Sequence, residues 1–199
     1  MRRVVLATGN AGKLREMQAI LAGHSLEVIP QSAFGIEPPV EDGDTFIANA
    51  LIKARHAAAI AGLPAIADDS GLEVDVLDGG PGLHTARYAG RQADDRANNA
   101  KLLAELARVA PPARSARYRC AMVFVRDAAD PEPIVAEASW AGFIGIERRG
   151  TGGFGYDPLF IVGGGSMTVA EMPEDEKNRV SHRAQALIAL AAAMQQAGW

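Results

Sequence analysis

Residues 4–17, VVLATGNAGKLREM, place two glycines and a lysine between an apolar strand pattern and a helical pattern. This differs from the common P-loop, because only two residues separate Gly9 from Gly12 and a leucine follows Lys13. A helix that begins near Gly12 would direct free N–H groups and its positive dipole end towards an anion. The same residues would also suit an ordinary turn with a solvated lysine, so the loop alone predicts either.

A second group of residues that could do chemistry is the acidic pair in PAIADDSGLEV. The pattern predicts a short strand that ends at Asp68 and Asp69, where adjacent carboxylates repel each other unless a cation or donors offset the cost. Such carboxylates suit Mg²⁺, which prefers oxygen ligands and often bridges carboxylates to phosphates. Glu41 and Asp42, in PVEDGDT, could supply a partner acid. The alternative is a solvated acidic turn with Ser70 as a cap.

Three polar residues share one face of the helix predicted at 45–61. Thr45, Asn49 and Lys53 are spaced four residues apart and therefore lie above one another. If this face lies beside Asp69, Asn49 and Lys53 could reach a phosphate or a reacting water. The alternative is an ordinary solvent face.

A literal GxGxxG match extends from Gly150 to Gly155 in RRGTGGFGYDPLF. The dinucleotide fingerprint should open a helix, but Pro158 disfavours helical geometry at the residue before it. A cradle for a flat ring is the better interpretation, because Phe154 could stack on a base and Asp157 could accept from a ring N–H. An irregular turn with a core phenylalanine is the alternative.

The last group of donors lies in EDEKNRVSHRAQAL, where Lys177, Arg179, His182 and Arg183 gather near the start of the predicted terminal helix. His182 beside Arg183 could donate to a carbonyl oxygen, such as the 6-oxo group of a purine. Taken alone, His182 would be a structural surface histidine.

The composition and charge of the whole chain limit the ligands and partners that these groups can bind. It has 199 residues, a formal charge of −4 and a single cysteine, Cys120. We expect one domain, no binding to a nucleic-acid backbone, and a reducing cytoplasmic setting for a thiol buried in the core. No segment reaches the roughly 18 apolar residues of a membrane span, and residues 1–8 are too brief for a signal peptide.

Apolar periodicity predicts the elements that must position these groups. Strands are predicted at 4–7, 26–29, 65–67, 121–125, 134–140 and 143–146. Leu14, Met17 and Leu21 mark a first helix. Further helices are predicted at 45–61, with Asp44 as N-cap, at 94–108 and at 180–196. Strands and helices alternate early and consecutive antiparallel strands follow, so we expect an α/β or α+β fold around a mixed sheet.

Five segments resemble, in order, the motifs of the inosine/xanthosine triphosphate pyrophosphatases, which hydrolyse non-standard purine nucleoside triphosphates. These segments are ATGNAGKLREM, DDSGLEVD, GPGLHTARYAG, TGGFGYDPLF and EKNRVSHRAQAL. The resemblance extends from Val4 to about Leu190 and covers almost the whole chain. It favours a triphosphate loop of a lineage different from the P-loop.

The resemblance also implies roles for single residues. Asp69 is similar to the family's general base, which also contacts Mg²⁺. Glu41 resembles the second acidic metal ligand, with Asp42 beside it. Together with Asn49 and Lys53 from the helix face, the expected substrate-binding residues are Thr8, Gly9, Asn10, Ala11, Gly12, Lys13, Ser70, Phe154, Gly155, Tyr156, Asp157, Lys177, His182 and Arg183.

The family's fold and reaction complete the prediction. The resemblance implies a long mixed sheet with helices on both sides, in two lobes that flank a substrate cleft, and a homodimer. The implied reaction is Mg²⁺-dependent hydrolysis of ITP, dITP or XTP to the nucleoside monophosphate and pyrophosphate, with no nucleic-acid or membrane partner. Two alternatives stay open: a related pyrophosphatase with a different base preference, such as a Maf-like enzyme, and a nucleotide sensor without catalysis.

Overall fold

The architecture is that of a computed structural model, which describes residues 2–24, 26–90 and 94–199. Its strands are β1 (Arg2–Leu6), β2 (Leu26–Pro30), β3 (Ala65–Val74), β4 (Ser115–Val125), β5 (Ile134–Ile144) and β6 (Phe160–Val162). Its α-helices are α1 (Ala11–Leu21), α2 (Phe46–Ala61), α3 (Asp95–Glu105), α4 (Glu174–Val180) and α5 (His182–Gln196). Short 3₁₀ helices lie at Gln31–Phe34, Asp75–Leu77, Gly82–Arg87, Pro111–Ala113 and Val169–Glu171. Within these described ranges, each helix is too short or too polar to cross a membrane.

The described strands form one six-stranded sheet in the order β2-β1-β3-β4-β5-β6. β1 is parallel to both β2 and β3, with Val5 opposite Ala65 in the second pair. β6 is antiparallel to β5, with Phe143 opposite Ile161. The sheet is therefore mixed, which confirms the predicted fold class.

The chain divides into two compact units. The first consists of Met1–Asp69, Cys120–Ala138 and Arg183–Trp199, and the second of Ser70–Arg119 and Ser139–His182. Each unit has its own hydrophobic core. The division agrees with the two lobes that we expected, whereas the substrate cleft stays a prediction.

Helices cover both faces of the sheet within the first unit. Because successive strand residues point to opposite faces, Val4 and Val5 belong to two different core clusters. The cluster around Val4 includes residues of α1 and α5, namely Met17, Leu21, Leu187 and Leu190. The cluster around Val5 includes four alanines of α2, namely Ala50, Ala54, Ala57 and Ala58. The expected helices on both sides of the sheet are confirmed for this unit.

The second unit is built around a separate core to which α3 contributes. Leu102 and Leu106 lie one turn apart on the α3 side of this core and have no exposed surface. Tyr118 and Phe160 pack with their ring centroids 4.6 Å apart. α3 therefore has one apolar face against the core and presents its first turns to the neighbouring loops.

β3 corrects the prediction for the acidic pair. The strand does not end at residue 67 but continues to Val74, so Asp68 and Asp69 lie inside it. They are only 1% and 8% exposed, and the solvated acidic turn is therefore wrong. Periodicity missed this because a carboxylate that is buried against cations has the same sequence signal as one in a polar turn.

The strand pattern after residue 115 also differs from the prediction. The strands predicted at 134–140 and 143–146 are one continuous strand, β5, since Gly142 pairs with Val162 instead of making a turn. Cys120 in β4 is 1% exposed, which confirms the buried core thiol.

Two helix predictions were wrong at their ends. The N-cap of α2 is Thr45, whose side chain accepts a hydrogen bond from the Ala48 N–H, and not Asp44. The helix predicted at 180–196 begins at His182, and Ser181 separates it from the shorter helix α4.

Candidate active site

The loop before α1 is held by its own asparagine. Asn10 is the N-cap, and its Oδ1 accepts from the N–H groups of Gly12, at 2.8 Å, and Lys13, at 3.0 Å. Thr8 Oγ1 accepts from the Asn10 N–H at 3.2 Å. These two helix N–H groups are therefore not free for an anion, contrary to the prediction, because the cap already satisfies them. The remaining loop residues, Gly9 and Ala11, are exposed.

Lys13 makes a buried ion pair. Its Nζ lies 2.9 Å from Oδ2 of Asp68, whose side chain has no exposed surface. Arg183 Nε lies 3.3 Å from the same oxygen, and Arg183 Nη1 pairs with Glu16. One carboxylate of β3 thus contacts both a lysine of α1 and an arginine of α5. The alternative of a solvated lysine is wrong.

The charges of this cluster fix its protonation. Burial by itself would raise the pKa of Asp68, but Lys13 and Arg183 outweigh that effect and hold the pKa well below the ordinary 3.8. Burial opposes the charge of Arg183, yet Asp68 and Glu16 raise its pKa above the ordinary 12.5. Burial, with the Asp68 charge, raises the pKa of the Cys120 thiol to about 12, so this thiol stays protonated.

Glu16 belongs to this cluster, although no sequence signal indicated it. It lies off the apolar stripe of Leu14, Met17 and Leu21, so periodicity directs it towards solvent. In the structure Glu16 is 5% exposed and paired with Arg183. The packing of α5 beside α1 supplies a cation, Arg183, that makes the burial of Glu16 tolerable.

Asn49 and Lys53 of α2 both reach Asp69, as the polar-face interpretation requires. Lys53 Nζ lies 2.9 Å from Asp69 Oδ1 and 3.1 Å from Glu41 Oε2. Asn49 Nδ2 donates to Asp69 Oδ2 at 3.3 Å. Burial would lower the pKa of Lys53, but Asp69 and its acidic neighbours raise it above the ordinary 10.5. Lys53 therefore stays charged, and the solvent-face alternative is wrong.

Gly43 fixes the segment that carries Glu41. Its N–H donates to Asn49 Oδ1 at 2.8 Å, and a Cβ at this position would lie 2.8 Å from that oxygen. Only a glycine allows so close an approach. Asn49 thus accepts a hydrogen bond from Gly43 through Oδ1 and donates one to Asp69 through Nδ2, and these two bonds orient both neighbours. Asp42, the other acid considered as a metal ligand, is exposed.

Glu41 and Asp69, two carboxylates of the first unit, both contact the ammonium of Lys53. The described residues contain no group of three or more His, Cys, Asp or Glu arranged to hold a metal ion. Mg²⁺ at a nucleotide does not need one, because one or two carboxylates commonly share it with phosphates and water. Glu41 and Asp69 fit this pattern, since both contact the ammonium of Lys53. The oxygens of Glu41 and Asp69 therefore suit a hard divalent cation, whereas Asp68, the preceding strand residue, contacts Lys13 and Arg183 instead.

The second unit contains another group of candidate residues, centred on Asp157. Its Oδ2 lies 2.6 Å from Lys177 Nζ and accepts from the Phe154 N–H at 3.0 Å. Its Oδ1 accepts from the Tyr118 hydroxyl at 3.1 Å. The Lys177 ammonium also lies 4.7 Å from the centroid of the Phe154 ring, a cation–π distance. Asp157 therefore organises the turn around a half-buried aromatic ring.

The glycine-rich stretch forms a turn and not the start of a helix, which confirms that the GxGxxG match is not a dinucleotide fingerprint. Gly153 has φ 70°, and a Cβ there would lie 2.1 Å from Asp157 Oδ2. Only glycine meets both conditions. Tyr156 in the same turn is buried and donates its hydroxyl to the Thr85 carbonyl at 3.0 Å.

His182 is buried in the second unit and stacks on an aromatic ring. Its ring centroid lies 4.6 Å from that of Tyr118, with the two planes 9° apart. The alternative of a surface histidine is therefore wrong. Arg183, the next residue, belongs to the carboxylate cluster of the first unit. The joint role of His182 and Arg183 in reading one keto group stays a prediction. Arg179 is exposed and pairs with Asp175 at 3.7 Å.

Two site residues lie on strands of the second unit. Ser70 follows Asp69 within β3 and is half-buried. Tyr118 was not predicted, because an aromatic residue in a strand pattern is typical of a core position. Its contacts with Asp157 and His182 come only from the packing of this unit.

A cavity of about 440 Å³ lies elsewhere in the first unit. It is lined by Arg2, His24, Leu26, Ala191, Met194, Gln195, Gly198 and Trp199. None of the candidate site residues lines it, so it does not belong to the chemistry described above.

The chain matches the model of the Ham1 family over residues 4–193, a span that includes every candidate site residue. A dITP/XTP pyrophosphatase of Methylococcus capsulatus is 56% identical over 190 residues, which are 96% of this chain and 94% of the relative. A dITP/XTP pyrophosphatase of Escherichia coli O157:H7 is 52% identical over 187 residues, which are 94% of this chain and 95% of the relative. These matches confirm the resemblance inferred from the five motifs.

Solved structures are similar over the whole chain. A HAM1 protein from Coxiella burnetii superposes with a TM-score of 0.90 at 43% identity, covering 98% of this chain and 100% of that one. A Ham1 protein from Staphylococcus aureus gives a TM-score of 0.85 at 34% identity, with the same coverage of 98% and 100%. The sheet and its flanking helices are therefore those of solved Ham1 proteins.

Proposed function

The chain belongs to the Ham1 family, and on that premise we propose that it hydrolyses non-standard purine nucleoside triphosphates such as ITP, dITP and XTP. One water is consumed, and the products are the nucleoside monophosphate and pyrophosphate. The observation that best supports this reaction is the buried carboxylate of Asp69, held between Asn49 and Lys53. A fixed base beside a cation-binding position is what the hydrolysis of a polyphosphate requires.

Asp69 acts as the general base in this proposal. Each carboxylate oxygen has two lone pairs, so the contacts with Asn49 and Lys53 leave acceptor capacity for a proton from water. That water attacks the α-phosphorus, the bond to the oxygen that bridges to the β-phosphorus breaks, and pyrophosphate leaves with the electron pair. Base catalysis of this kind contributes about 10²–10⁴-fold. The fixed orientation of the carboxylate contributes through positioning.

Lysines neutralise the charge of the triphosphate. Phosphoryl transfer depends mainly on positioning and electrostatic stabilisation, so ammonium groups near the phosphates lower the barrier. Lys13 has three N–H donors, and its 2.9 Å contact with Asp68 orients it while leaving capacity for phosphate oxygens. Lys53 and Lys177 supply the other two charges in this assignment.

Glu41 and Asp69 would hold the Mg²⁺ that the family resemblance implies. Support comes from their oxygens, which lie 3.1 Å and 2.9 Å from the same ammonium of Lys53. When bound, Mg²⁺ supplies Lewis-acid polarisation and charge neutralisation for the polyphosphate. The hydrogen bond from the Gly43 N–H to Asn49 Oδ1 keeps both carboxylates in place.

Selection of a 6-keto purine follows from the chemistry of the donors His182 and Arg183. A 6-oxo group accepts hydrogen bonds from them, whereas the 6-amino group of ATP is itself a donor. Donor facing donor leaves polar groups unpaired, at about 1–3 kcal/mol for each lost bond. The half-buried ring of Phe154 offers a face on which the base stacks.

Pyrophosphate release from ITP, dITP, XTP, GTP and ATP, with Mg²⁺ and with EDTA, tests this proposal. We expect kcat/KM for ITP to exceed that for ATP by at least about tenfold, the equivalent of one lost hydrogen bond. EDTA should abolish release. Equal rates on all five nucleotides would contradict the base preference. Binding of ITP without release of pyrophosphate would identify a sensor instead.

We further propose that the two units act as one domain and that the protein is a cytoplasmic homodimer. Support for one domain is that the family match over residues 4–193 includes both units. The homodimer rests on the resemblance, and the cytoplasm rests on the single cysteine, which suits a reducing setting. Light scattering of the purified protein tests the dimer.

A further inference from the structure

Two adjacent asparagines are buried in the first turns of α3, and the proposed reaction uses neither of them. Asn98 is 2% exposed and Asn99 has no exposed surface. Asparagine is a weak helix former, because its amide competes for nearby backbone groups. A buried amide also costs free energy unless it is hydrogen-bonded. The partners of these two amides therefore indicate what they do.

Asn99 and Asp95 bind both polar backbone groups of a single glycine. Asn99 Nδ2 donates to the Gly155 carbonyl oxygen at 2.8 Å, and Asp95 Oδ2 accepts from the Gly155 N–H at 2.6 Å. The two α3 residues are also joined, since Asn99 Nδ2 donates to the Asp95 carbonyl at 2.6 Å. Gly155, which has φ 62°, is thus fixed to α3 from both sides.

Gly155 lies inside the turn that carries the proposed base-binding residues. Phe154 precedes it, and the Phe154 N–H donates to Asp157 Oδ2 at 3.0 Å. The Lys177 ammonium contacts both that carboxylate, at 2.6 Å, and the Phe154 ring, at 4.7 Å from its centroid. A rotation of the Gly155 peptide would therefore move the aromatic ring and the carboxylate together.

We propose that Asn99 and Asp95 are positioning residues for purine recognition: α3 fixes the Gly155 peptide and thereby sets the geometry of Phe154 and Asp157. The inference rests on the proposed function, in which this turn binds the base. It assigns to α3 a role in substrate affinity, although its residues touch neither the phosphates nor the base in that scheme. The chemical step at Asp69 is separate, so loss of the contact should change KM more than kcat.

Asn98 provides a matched control on the same helix. Its Oδ1 accepts from the Ala89 N–H at 2.8 Å, and its Nδ2 donates to the Ala86 carbonyl at 3.1 Å. It is therefore the same residue type, equally buried and bonded to backbone, but it holds a different loop. Asn98→Ala should lose comparable stability while both hydrogen bonds to the Gly155 peptide stay intact; the loop that Asn98 holds meets the Phe154 turn at the Tyr156 hydroxyl, which donates to the Thr85 carbonyl.

The test compares Asn99→Ala, Asn98→Ala, Asp95→Ala and Asp95→Asn with the unsubstituted protein. KM and kcat for ITP are measured together with the midpoint of thermal unfolding. We expect Asn99→Ala and Asp95→Ala to raise KM about tenfold, as for the loss of one hydrogen bond, with kcat within about threefold. Asp95→Asn keeps an acceptor for the Gly155 N–H and should restore the normal KM. Asn98→Ala should lower the unfolding midpoint as much as Asn99→Ala while KM stays within about twofold.

The outcomes separate this inference from the function on which it rests. If the unsubstituted protein releases no pyrophosphate from ITP, the proposed function is wrong. If it is active but Asn99→Ala leaves KM unchanged, or Asn98→Ala raises KM equally, the positioning role is wrong. Should Asn99→Ala fail to fold, the pair Asp95→Ala and Asp95→Asn decides, because Asp95 is exposed and its replacement leaves the core intact. Equal KM values in that pair would overturn the inference.

Discussion

The ammonium of Lys53 lies 2.9 Å from Oδ1 of Asp69, and the two residues are only 9% and 8% exposed. A buried pair of this kind is costly to break, because the remaining partner becomes an uncompensated charge. Variants at this position should therefore keep the size of the side chain, so that a change in chemistry is not confused with a collapse of the site.

Asp69→Asn should reduce kcat for ITP by about 10²–10⁴-fold, because an amide does not accept the proton of the attacking water. Binding of ITP, measured by titration calorimetry at saturating Mg²⁺, should change little, since the amide keeps the size and position of the carboxylate and excess Mg²⁺ offsets the weaker ligand. Asp44→Asn is the matched control, because Asp44 is exposed and does not cap α2. Near-normal turnover by Asp69→Asn would refute the assignment of the base.

Glu41→Gln should raise the Mg²⁺ concentration that gives half-maximal activity by at least about tenfold, because a neutral amide is a poor ligand for a hard cation. Asp42→Asn should leave this concentration unchanged, since Asp42 is exposed whereas Glu41 contacts Lys53 at 3.1 Å. Activity is measured by pyrophosphate release across a Mg²⁺ titration. A shift in Asp42→Asn alone would transfer the ligand role to the neighbouring acid.

The free energy of unfolding of Asp68→Asn should depend less on pH in the acid range than that of the unsubstituted protein. The folded state holds the pKa of Asp68 below 3.8, so the ionised carboxylate stabilises the fold above pH 3.8, and this contribution is lost as pH falls through the lower folded pKa. We expect the variant to be less stable at neutral pH by about 3–5 kcal/mol, the usual cost of breaking a buried pair. Urea unfolding at a series of pH values should show a constant difference down to pH 5 and a shrinking one below pH 3.8. A difference in unfolding free energy that does not change with pH in this range would contradict the shifted pKa.

Gly153→Ala should weaken ITP binding, because the new Cβ would lie 2.1 Å from Asp157 Oδ2 and displace that carboxylate. Gly164→Ala is the control for backbone strain alone, since Gly164 has φ 81° and open space around its Cβ position. Both variants should lose about 1 kcal/mol from the left-handed backbone, but only Gly153→Ala should raise KM, by about tenfold or more. Steady-state kinetics and thermal unfolding distinguish the two effects, and equal KM values would show that the turn tolerates a displaced Asp157.

Arg114→Lys should destabilise the second unit without changing its chemistry. The Arg114 guanidinium donates to three carbonyls, those of Leu106 at 2.8 Å, Val109 at 3.0 Å and Gly145 at 2.9 Å. A lysine does not reproduce this planar fork, and each unsatisfied buried carbonyl costs about 1–3 kcal/mol. The midpoint of thermal unfolding should fall, with KM for ITP unchanged. Arg108→Lys, at an exposed position, should unfold like the unsubstituted protein; a fall in that control as well would assign the effect to arginine loss in general.

The sequence by itself determined the local features and the order of the motifs. The Asn10 cap of α1 and the close approach of Gly153 to Asp157 involve residues only a few positions apart, so backbone geometry within one turn specifies them. The sequence also predicted the stripe of Asn49 and Lys53, because helical periodicity places both residues on one face.

Only the tertiary structure decided the partners of the buried charges. Glu16 and Arg183 are 167 positions apart, and Asp68 and Arg183 are 115 positions apart, yet each pair is in contact. A carboxylate inside a strand is stable only when a cation from elsewhere in the chain compensates its burial. No local pattern records such a cation, so the sequence left a solvated turn open as the alternative for Asp68 and carried no signal for Glu16, and packing placed both in the interior.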